Sequence, residues 1–563
     1  MGKDNEGHGV SRILPIAGWL PSISAGTLRT DAVAGAALAG LLVPEGMAYA
    51  GIAGVPPQAG LYAAAAGLAV YAIFGSSRHL AVSPTSGAAA MLAALVAPLA
   101  AGNPERYATL ASATGVLTGI LFLVASAFKL GFVSEFISKP VLKGFVFGLG
   151  LTIMVKQAPK LLGIEKGHGD TLDQAWHAIV SLPHTNPWTF AVGACALAVL
   201  FGAGALAPRI PWALVVFVLG IVAVRQLGLD RHGVEIVGKV PAALPHFGVP
   251  SVSRPDLIEL LTGAIGIVLI VYAESLASAR TFAAKYKYEV RPNQELAALG
   301  VANLASGLSQ GIIVGGGMSG TAANAAGGGR TQISTMVTAL ISVLTLLFLT
   351  PLFQSLPEAV LGAIVIHAVW HLVDVKEMRR LASLKTGSIW AALTAIVGVL
   401  AMGVLQGLVL AMCLTLIALL KKVSAPQDSI LGRLPGTDTF VGMERYPEAQ
   451  PIPGLLIFRP NGVLFFANAN RFTTRLRTAI RDAREPVRDV ILSMEASPEI
   501  DVTVLDILEQ LRSELKEKDI GLAFARLSEP VRDLFKRSGF LERVGEANIH
   551  YGLHKAVAGQ RGT

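Results

Sequence analysis

The chain has 563 residues, of which 53% are hydrophobic and only 15% charged, against roughly 25% charged in ordinary soluble domains. The formal net charge is +8, yet the last 140 residues carry 19 basic and 19 acidic side chains, so the whole excess sits in residues 1–423. This distribution excludes a soluble enzyme, a fibrous protein and a disordered chain, and it assigns the surplus to the loops of a membrane protein rather than to a nucleic-acid-binding face.

Residues 1–30 open polar, without the short apolar core and cleavage site of a signal peptide, and are read as a cytoplasmic segment. Apolar runs then recur at about 31–53, 59–75, 85–101, 108–128, 141–155, 189–206 and 212–227. After a polar stretch from Gln226 to Pro255, a second series follows at about 257–279, 296–309, 319–327, 332–350, 357–373, 387–403 and 405–420. A bilayer core asks for about 20 apolar residues per helix. Several runs are shorter or broken by Gly and Pro, which predicts seven plus seven segments, some of them interrupted.

With the N-terminus inside, the loops predicted to be cytoplasmic carry Arg78, then Lys129, Lys139 and Lys143, then Arg280, Lys285, Lys287 and Arg291. Arg330, Lys376, Arg379, Arg380, Lys385, Lys421 and Lys422 complete the set. The positive-inside rule therefore predicts a multi-pass protein of the plasma (inner) membrane with both termini in the cytoplasm. Cys195 and Cys413 both lie in apolar runs, where packing is expected and a disulfide is not.

The two halves are alike. The first reads VPEGMAYA (43–50), VPPQAGLYA (55–63) and HLAVSPTSGAAAM (79–91). The second reads IVYAESLASA (270–279), VRPNQELAALG (290–300) and GIIVGGGMSGTAAN (311–324). Each has a buried Glu, a Pro…Gln turn, and an extended stretch breaking into small residues. Seven segments per half make the second copy inverted, and inverted repeats with interrupted segments are the signature of a secondary transporter.

Pro84 stands just before Thr85 and Ser86, and Gly317 just before Ser319, Gly320 and Thr321, at the predicted starts of two half-helices. Two facing helix N-termini make an anion site from backbone N–H groups alone. Glu45 and Glu274 each interrupt an apolar run, where an acid costs roughly 2.5–3.5 kcal/mol at the bilayer centre. Low dielectric favours the neutral carboxyl, so both are candidate proton carriers, and a carboxylate beside an anion site repels the substrate until it is protonated. Gln58, Gln294, Tyr49 and Tyr62 either line an access path or bond at helix ends, and Pro44 is expected to kink its helix. His367 and His371 are spaced i, i+4 but lack a third ligand, so no metal site is expected.

The C-terminal part is divided into a linker over 424–453 and a small α/β domain over 454–563. In it, 454–468 reads as a β-hairpin, 469–483 as a helix, 487–494 as a strand, 503–518 as a helix, 521–527 as a strand, and 530–540 as a last helix closed by Gly539.

From roughly Asp31 to the C-terminus the sequence resembles the sulfate permease (SulP) family of anion transporters. VPEGMAYAGIAGVPPQAGLYAA, AESLASARTFAAKYKYEVRPNQELAALGVANLASG and a C-terminal segment like a STAS domain carry the resemblance. The family implies a transport domain (31–423) of core and gate modules, one central anion site between opposed half-helices, a homodimer, and a cytoplasmic STAS domain open to a protein partner. It does not fix the anion, since members carry sulfate, bicarbonate, chloride or dicarboxylates. Two positions depart from its pattern: Glu45 stands where many relatives have Gln, and Gly320 where many have Arg. Bacterial sodium-coupled bicarbonate members have Asp at the position of Glu274. Asp501 and Thr503 are expected to cap the STAS helix, and Val502 replaces the phosphorylatable Ser of related anti-sigma antagonists. No P-loop supports nucleotide binding.

The leading expectation is a non-enzymatic, secondary-active anion importer without cofactors, coupled to H+ and carrying sulfate. Sodium-coupled bicarbonate or proton-coupled dicarboxylate transport are the alternatives within that class. A membrane sensor or scaffold signalling through STAS is the alternative of another class.

Overall fold

All fourteen apolar segments are helical in the computed structural model of the chain, which describes residues 15–20, 23–132, 139–167, 169–207, 210–238, 244–384, 388–424 and 428–561. Residues 1–14 of the predicted N-terminal segment and Lys385 of the predicted cytoplasmic set lie outside the described residues. In the first repeat the segments are α1 (Ala25–Ile52), α2 (Pro57–Phe74), α3 (Ser86–Ala100), α4 (Pro104–Ala127), α5 (Lys139–Leu162), α6 (Pro187–Ala198) and α7 (Trp212–Leu227). In the second they are α8 (Arg254–Tyr286), α9 (Pro292–Leu308), α10 (Met318–Ala326), α11 (Ile333–Leu344), α12 (Glu358–Val369), α13 (Ser388–Met402) and α14 (Val404–Val423). Strand β1 (Val82–Pro84) precedes α3, and β2 (Val314–Gly316) precedes α10. Among the described residues, seven helices are long and apolar enough to cross a bilayer; the interrupted and shorter ones are the segments that hydropathy undercounts.

The helix starts follow from local chemistry. Pro occupies the first turn of α2, α4, α6, α8 and α9, where its missing N–H costs nothing. Asn103 caps α4 through the N–H groups of Glu105 and Arg106, both at 3.0 Å, and Asn186 caps α6 in the same way. Pro44 lies inside α1, which continues unbroken to Ile52.

Two interleaved repeats are visible in the packing. Helix α4 packs on α8 and α9, and its counterpart α11 packs on α1 and α2. Likewise α5 packs on α13 and α12 packs on α6, while α5 and α12 meet each other. Close approach of α1 and α2 depends on Gly60, where a Cβ would sit 1.9 Å from the Gly46 carbonyl oxygen. Strands β1 and β2 pair antiparallel, Val82 with Gly316 and Pro84 with Val314, as equivalent strands of an inverted pair must.

The chain forms two compact units divided between Thr415 and Leu416. In the second, a six-stranded sheet has the order β4-β3-β5-β6-β7-β8, with β3 (Asp428–Arg433), β4 (Phe440–Gly442), β5 (Leu455–Pro460), β6 (Asp489–Ser493), β7 (Gly521–Ala525) and β8 (Ile549–His550). Strands β5 to β8 are parallel, and β3 is antiparallel to both neighbours. Helices α15 (Ala469–Arg481), α16 (Val502–Glu517), α17 (Glu529–Arg537) and α18 (Leu553–Arg561) complete it. Leu476, Leu508, Leu511, Phe524, Phe535 and Phe540 are wholly buried in its core.

Two sequence expectations are corrected here. The hairpin is formed by β3 and β4, inside the stretch read as a linker, and not by 454–468. After β5 the chain leaves the sheet because side chains take its N–H groups: Leu464 donates to Ser497 (3.2 Å), Phe465 to Asn468 (3.0 Å) and Phe466 to Asp501 (2.7 Å). Asp501 also caps α16 through the Val504 N–H at 2.8 Å, whereas Thr503 lies within the helix. Gly539 takes a left-handed φ of 68° that ends the turn after α17.

Candidate anion site

Strands β1 and β2 are buried throughout, so every backbone group in them needs a partner inside the protein. The ladder supplies some, and buried side chains supply the rest. Ser275 of α8 accepts from the Gly316 N–H at 2.7 Å. Asn303 of α9 accepts from the Val314 N–H at 3.0 Å and donates to the Val314 carbonyl at 2.9 Å. Asn324 of α10 donates to the His79 carbonyl at 3.0 Å. These positioning residues were missed in the sequence; the signal available was a buried amide or hydroxyl inside otherwise small-residue helices.

From this frame the two half-helices begin at Ser86 and Met318. Thr85 caps α3 with its own hydroxyl, which accepts from Ala88 at 3.3 Å. Gly317 stands at the N-cap of α10 with no side-chain cap, leaving first-turn N–H groups uncovered. The two ends meet: the Thr85 methyl is 3.5 Å from where a Cβ on Gly317 would stand. Thr85, Ser86, Gly317 and Ser319 all keep some exposed surface. The two positive helix ends therefore lie close together, and both keep exposed surface.

Gly320 and Thr321 are placed differently from the sequence expectation. Both are buried. The Thr321 hydroxyl donates to the Gly317 carbonyl at 2.7 Å and accepts from the Ala81 N–H at 3.3 Å, so it holds the turn and does not face the opening. A Cβ on Gly320 would stand 3.2 Å from Leu42 and 3.5 Å from Ala81.

The carboxylate of Glu274 reaches the first turn of α3. Its oxygens lie 3.3 and 3.5 Å from the Cβ position of Gly87, with the Leu149 side chain of α5 at 3.4 Å. Glu45 is 4% exposed, and Tyr49, one turn further along α1, is in hydrogen-bonding contact with it and within electrostatic reach of Glu274.

Among the described residues of the first compact unit, the structure buries two further acids that the sequence reading did not single out. Asp31 accepts from the Arg330 N–H at 2.6 Å and the Thr331 hydroxyl at 2.5 Å. Glu295 accepts from the Tyr71 hydroxyl at 2.6 Å, the Ser76 N–H at 2.9 Å and the Ser76 hydroxyl at 2.6 Å. Both are saturated with donors, which is how a structural carboxylate is held. Glu45 has Tyr49 alone, and no donor among the described residues reaches Glu274. Among the described residues, Glu45 and Glu274 are thus the two of these four acids that are not saturated with donors.

Gln294 bonds a helix end, donating to the Phe74 carbonyl at 2.7 Å. Gln58 lines a cavity of about 360 Å³ of mixed polar and apolar wall with Tyr62, Ser112 and Gln310. Among the described residues no group of three or more His, Cys, Asp or Glu side chains is arranged to hold a metal, and His367 packs edge-on to Phe201.

Comparison with known proteins agrees with this architecture. A family model described as the sulfate permease family matches residues 28–397, and a STAS domain model matches 446–556. A probable sulfate transporter of Mycobacterium tuberculosis is 37% identical over 547 residues, covering 96% of this chain and 98% of that protein. Sulfate transporter 1.1 of Arabidopsis thaliana is 30% identical over 584 residues, covering 98% and 88%. The murine solute carrier 26 family member A9 anion transporter, solved in an inward-facing state, superposes with a TM-score of 0.92 at 21% identity, over 100% of this chain and 96% of that one. The transmembrane domain of a cyanobacterial bicarbonate transporter gives 0.61 at 23% identity, over 70% and 98%. At these identities the structural matches speak for the fold.

Proposed function

We propose that this chain, which belongs to the sulfate permease family of secondary anion transporters, imports sulfate by proton symport. The observation that carries the reading is the Glu274 carboxylate against the first turn of α3. An ionised Glu274 and a bound anion compete for the same positive helix end, so the anion binds best when Glu274 carries a proton. Glu45, held by Tyr49 near that acid, is the second carrier. Thr85, Ser86, Gly317 and Ser319 border the anion, which is held by backbone N–H groups. Sulfate is the first substrate because the two relatives described above are named a probable sulfate transporter and a sulfate transporter. The chain works as a homodimer in the inner membrane with both termini cytoplasmic, and its STAS domain meets a cytoplasmic protein partner.

The test is labelled sulfate uptake into proteoliposomes with and without an inward proton gradient, at matched sodium. Gradient-stimulated uptake supports the reading. Absence of sulfate uptake refutes the substrate and brings bicarbonate and dicarboxylates forward, each assayed with and without sodium. Tight anion binding without any flux would instead favour a sensor.

A further inference from the structure

The site as built holds two acids and no base. The first turns, Ser86-Gly87-Ala88 of α3 and Met318-Ser319-Gly320 of α10, offer no cation; Glu274 stands against the first of them, and Glu45 is joined to Tyr49, which is within electrostatic reach of Glu274. With its acids ionised, a site of that composition repels an anion at any distance where its helix dipoles have faded, and with them neutral it offers no long-range attraction.

Helix α5 supplies what is missing. Leu149 touches the first turn of α3, 3.4 Å from the Cβ position of Gly87. At 3.6 residues per turn, Ile153, Lys156 and Lys160 continue the same stripe of α5. At its far end the Lys160 ammonium is 3.6 Å from the Cβ position of Gly51 on α1. The stripe therefore runs from the first turn of α3 to the end of α1, with Leu149 and Ile153 wholly buried along it, and Lys156 lies on it about 10 Å beyond Leu149. Lys160 is neutralised by Glu358 at 2.5 Å. Lys156 is half-buried and, among the described residues, has no hydrogen-bond or ion-pair partner. An uncompensated ammonium within a membrane helix is costly and marks a pathway for charge.

We propose that Lys156 is the cation that draws the anion along this face of α5 and holds it on the way to the half-helix N-termini. The inference rests on the transport reading above, and it adds a residue that sets affinity for the anion on the side where α1 and α5 end.

The test uses the full chain in cells, with Cys195→Ser and Cys413→Ser removing native thiols. Uptake by Lys156→Gln is expected to show a KM raised about tenfold with the maximal rate retained, and Lys156→Arg to restore it. A Lys156→Cys variant is expected to react from the aqueous phase with sulfonatoethyl methanethiosulfonate, and a transported anion is expected to slow that reaction. Aminoethyl methanethiosulfonate, which returns a positive charge, is expected to recover the KM. An unchanged KM in Lys156→Gln overturns the proposal. So does a Lys156→Cys thiol that no aqueous reagent reaches, or one that none of sulfate, bicarbonate, chloride and succinate protects. Protection by one of these when sulfate itself is not carried refutes the sulfate reading and upholds Lys156.

Discussion

Replacing Glu274 by Gln separates anion binding from proton coupling. An anion seated at the first-turn N–H groups of α3 lies within about 6 Å of the Glu274 carboxylate, and two like unit charges at that distance repel by about 3 kcal/mol at an effective dielectric constant near 20. That repulsion is worth about a hundredfold in affinity for each unit of anion charge, about ten-thousandfold for the sulfate dianion, and by reciprocity the bound anion favours protonation of Glu274 by the same factor. In the native protein, anion affinity should therefore fall as pH rises, by up to tenfold per unit. In Glu274→Gln it should stay high and lose most of its slope with pH, any slope that remains reporting Glu45. No donor among the described residues is lost by the change, so the fold should be retained. Binding calorimetry across a pH series, paired with uptake into proteoliposomes under a proton gradient, reads both quantities. The variant should exchange anion across the bilayer but not accumulate it. Accumulation driven by protons with the native pH dependence would refute the reasoning.

Other perturbations test the frame around the site. Asn303→Ala strips both partners from Val314 and should lower thermal stability by about 2–4 kcal/mol, with anion binding weakened in step; binding at native strength in the variant would show that β2 does not need that amide. Glu295→Ala leaves the Tyr71 hydroxyl and two Ser76 donors without an acceptor, and an unchanged melting temperature would contradict its structural role. Gly320→Arg should destabilise alone, because Leu42 and Ala81 occupy the space, and should be partly rescued by Leu42→Ala; additivity of the two changes would argue against that contact. In the STAS domain, burial pushes the Asp428 carboxyl up from its ordinary range against the pull of Arg475, and its Oδ1 has no partner. The folded form holds that proton more tightly, so the associated stability is present in acid and lost as pH rises through the raised value. Asp428→Asn should raise the melting temperature at neutral pH and not in acid; equal melting curves at both would count against it.

The helices and half-helices were legible because hydropathy, Pro and Gly act locally. Pro84 and the glycines of 315–317 announce the breaks before α3 and α10, and Glu45 and Glu274 stand out in apolar surroundings. What was not legible depends on distant partners. Asp31 takes its donors from Arg330 and Thr331, so nothing near it in the chain separates a saturated acid from a bare one. Thr321 looked like its neighbour Ser319 until its hydroxyl was found committed to Gly317 and Ala81. The stretch 454–468 read as a hairpin, yet β5 is already flanked by β3 and β6 and has no free edge for a returning strand.

The ladder between β1 and β2 has a mechanical consequence. Its hydrogen bonds lie where no water can replace them, so opening it would cost several kcal/mol for each group left bare. The two half-helices are thereby yoked, and neither can retract without the other. An anion held between them cannot be passed on by parting its two supports like jaws. It has to be carried with the pair as cargo on a rigid carriage, while the helices facing that pair serve as the track.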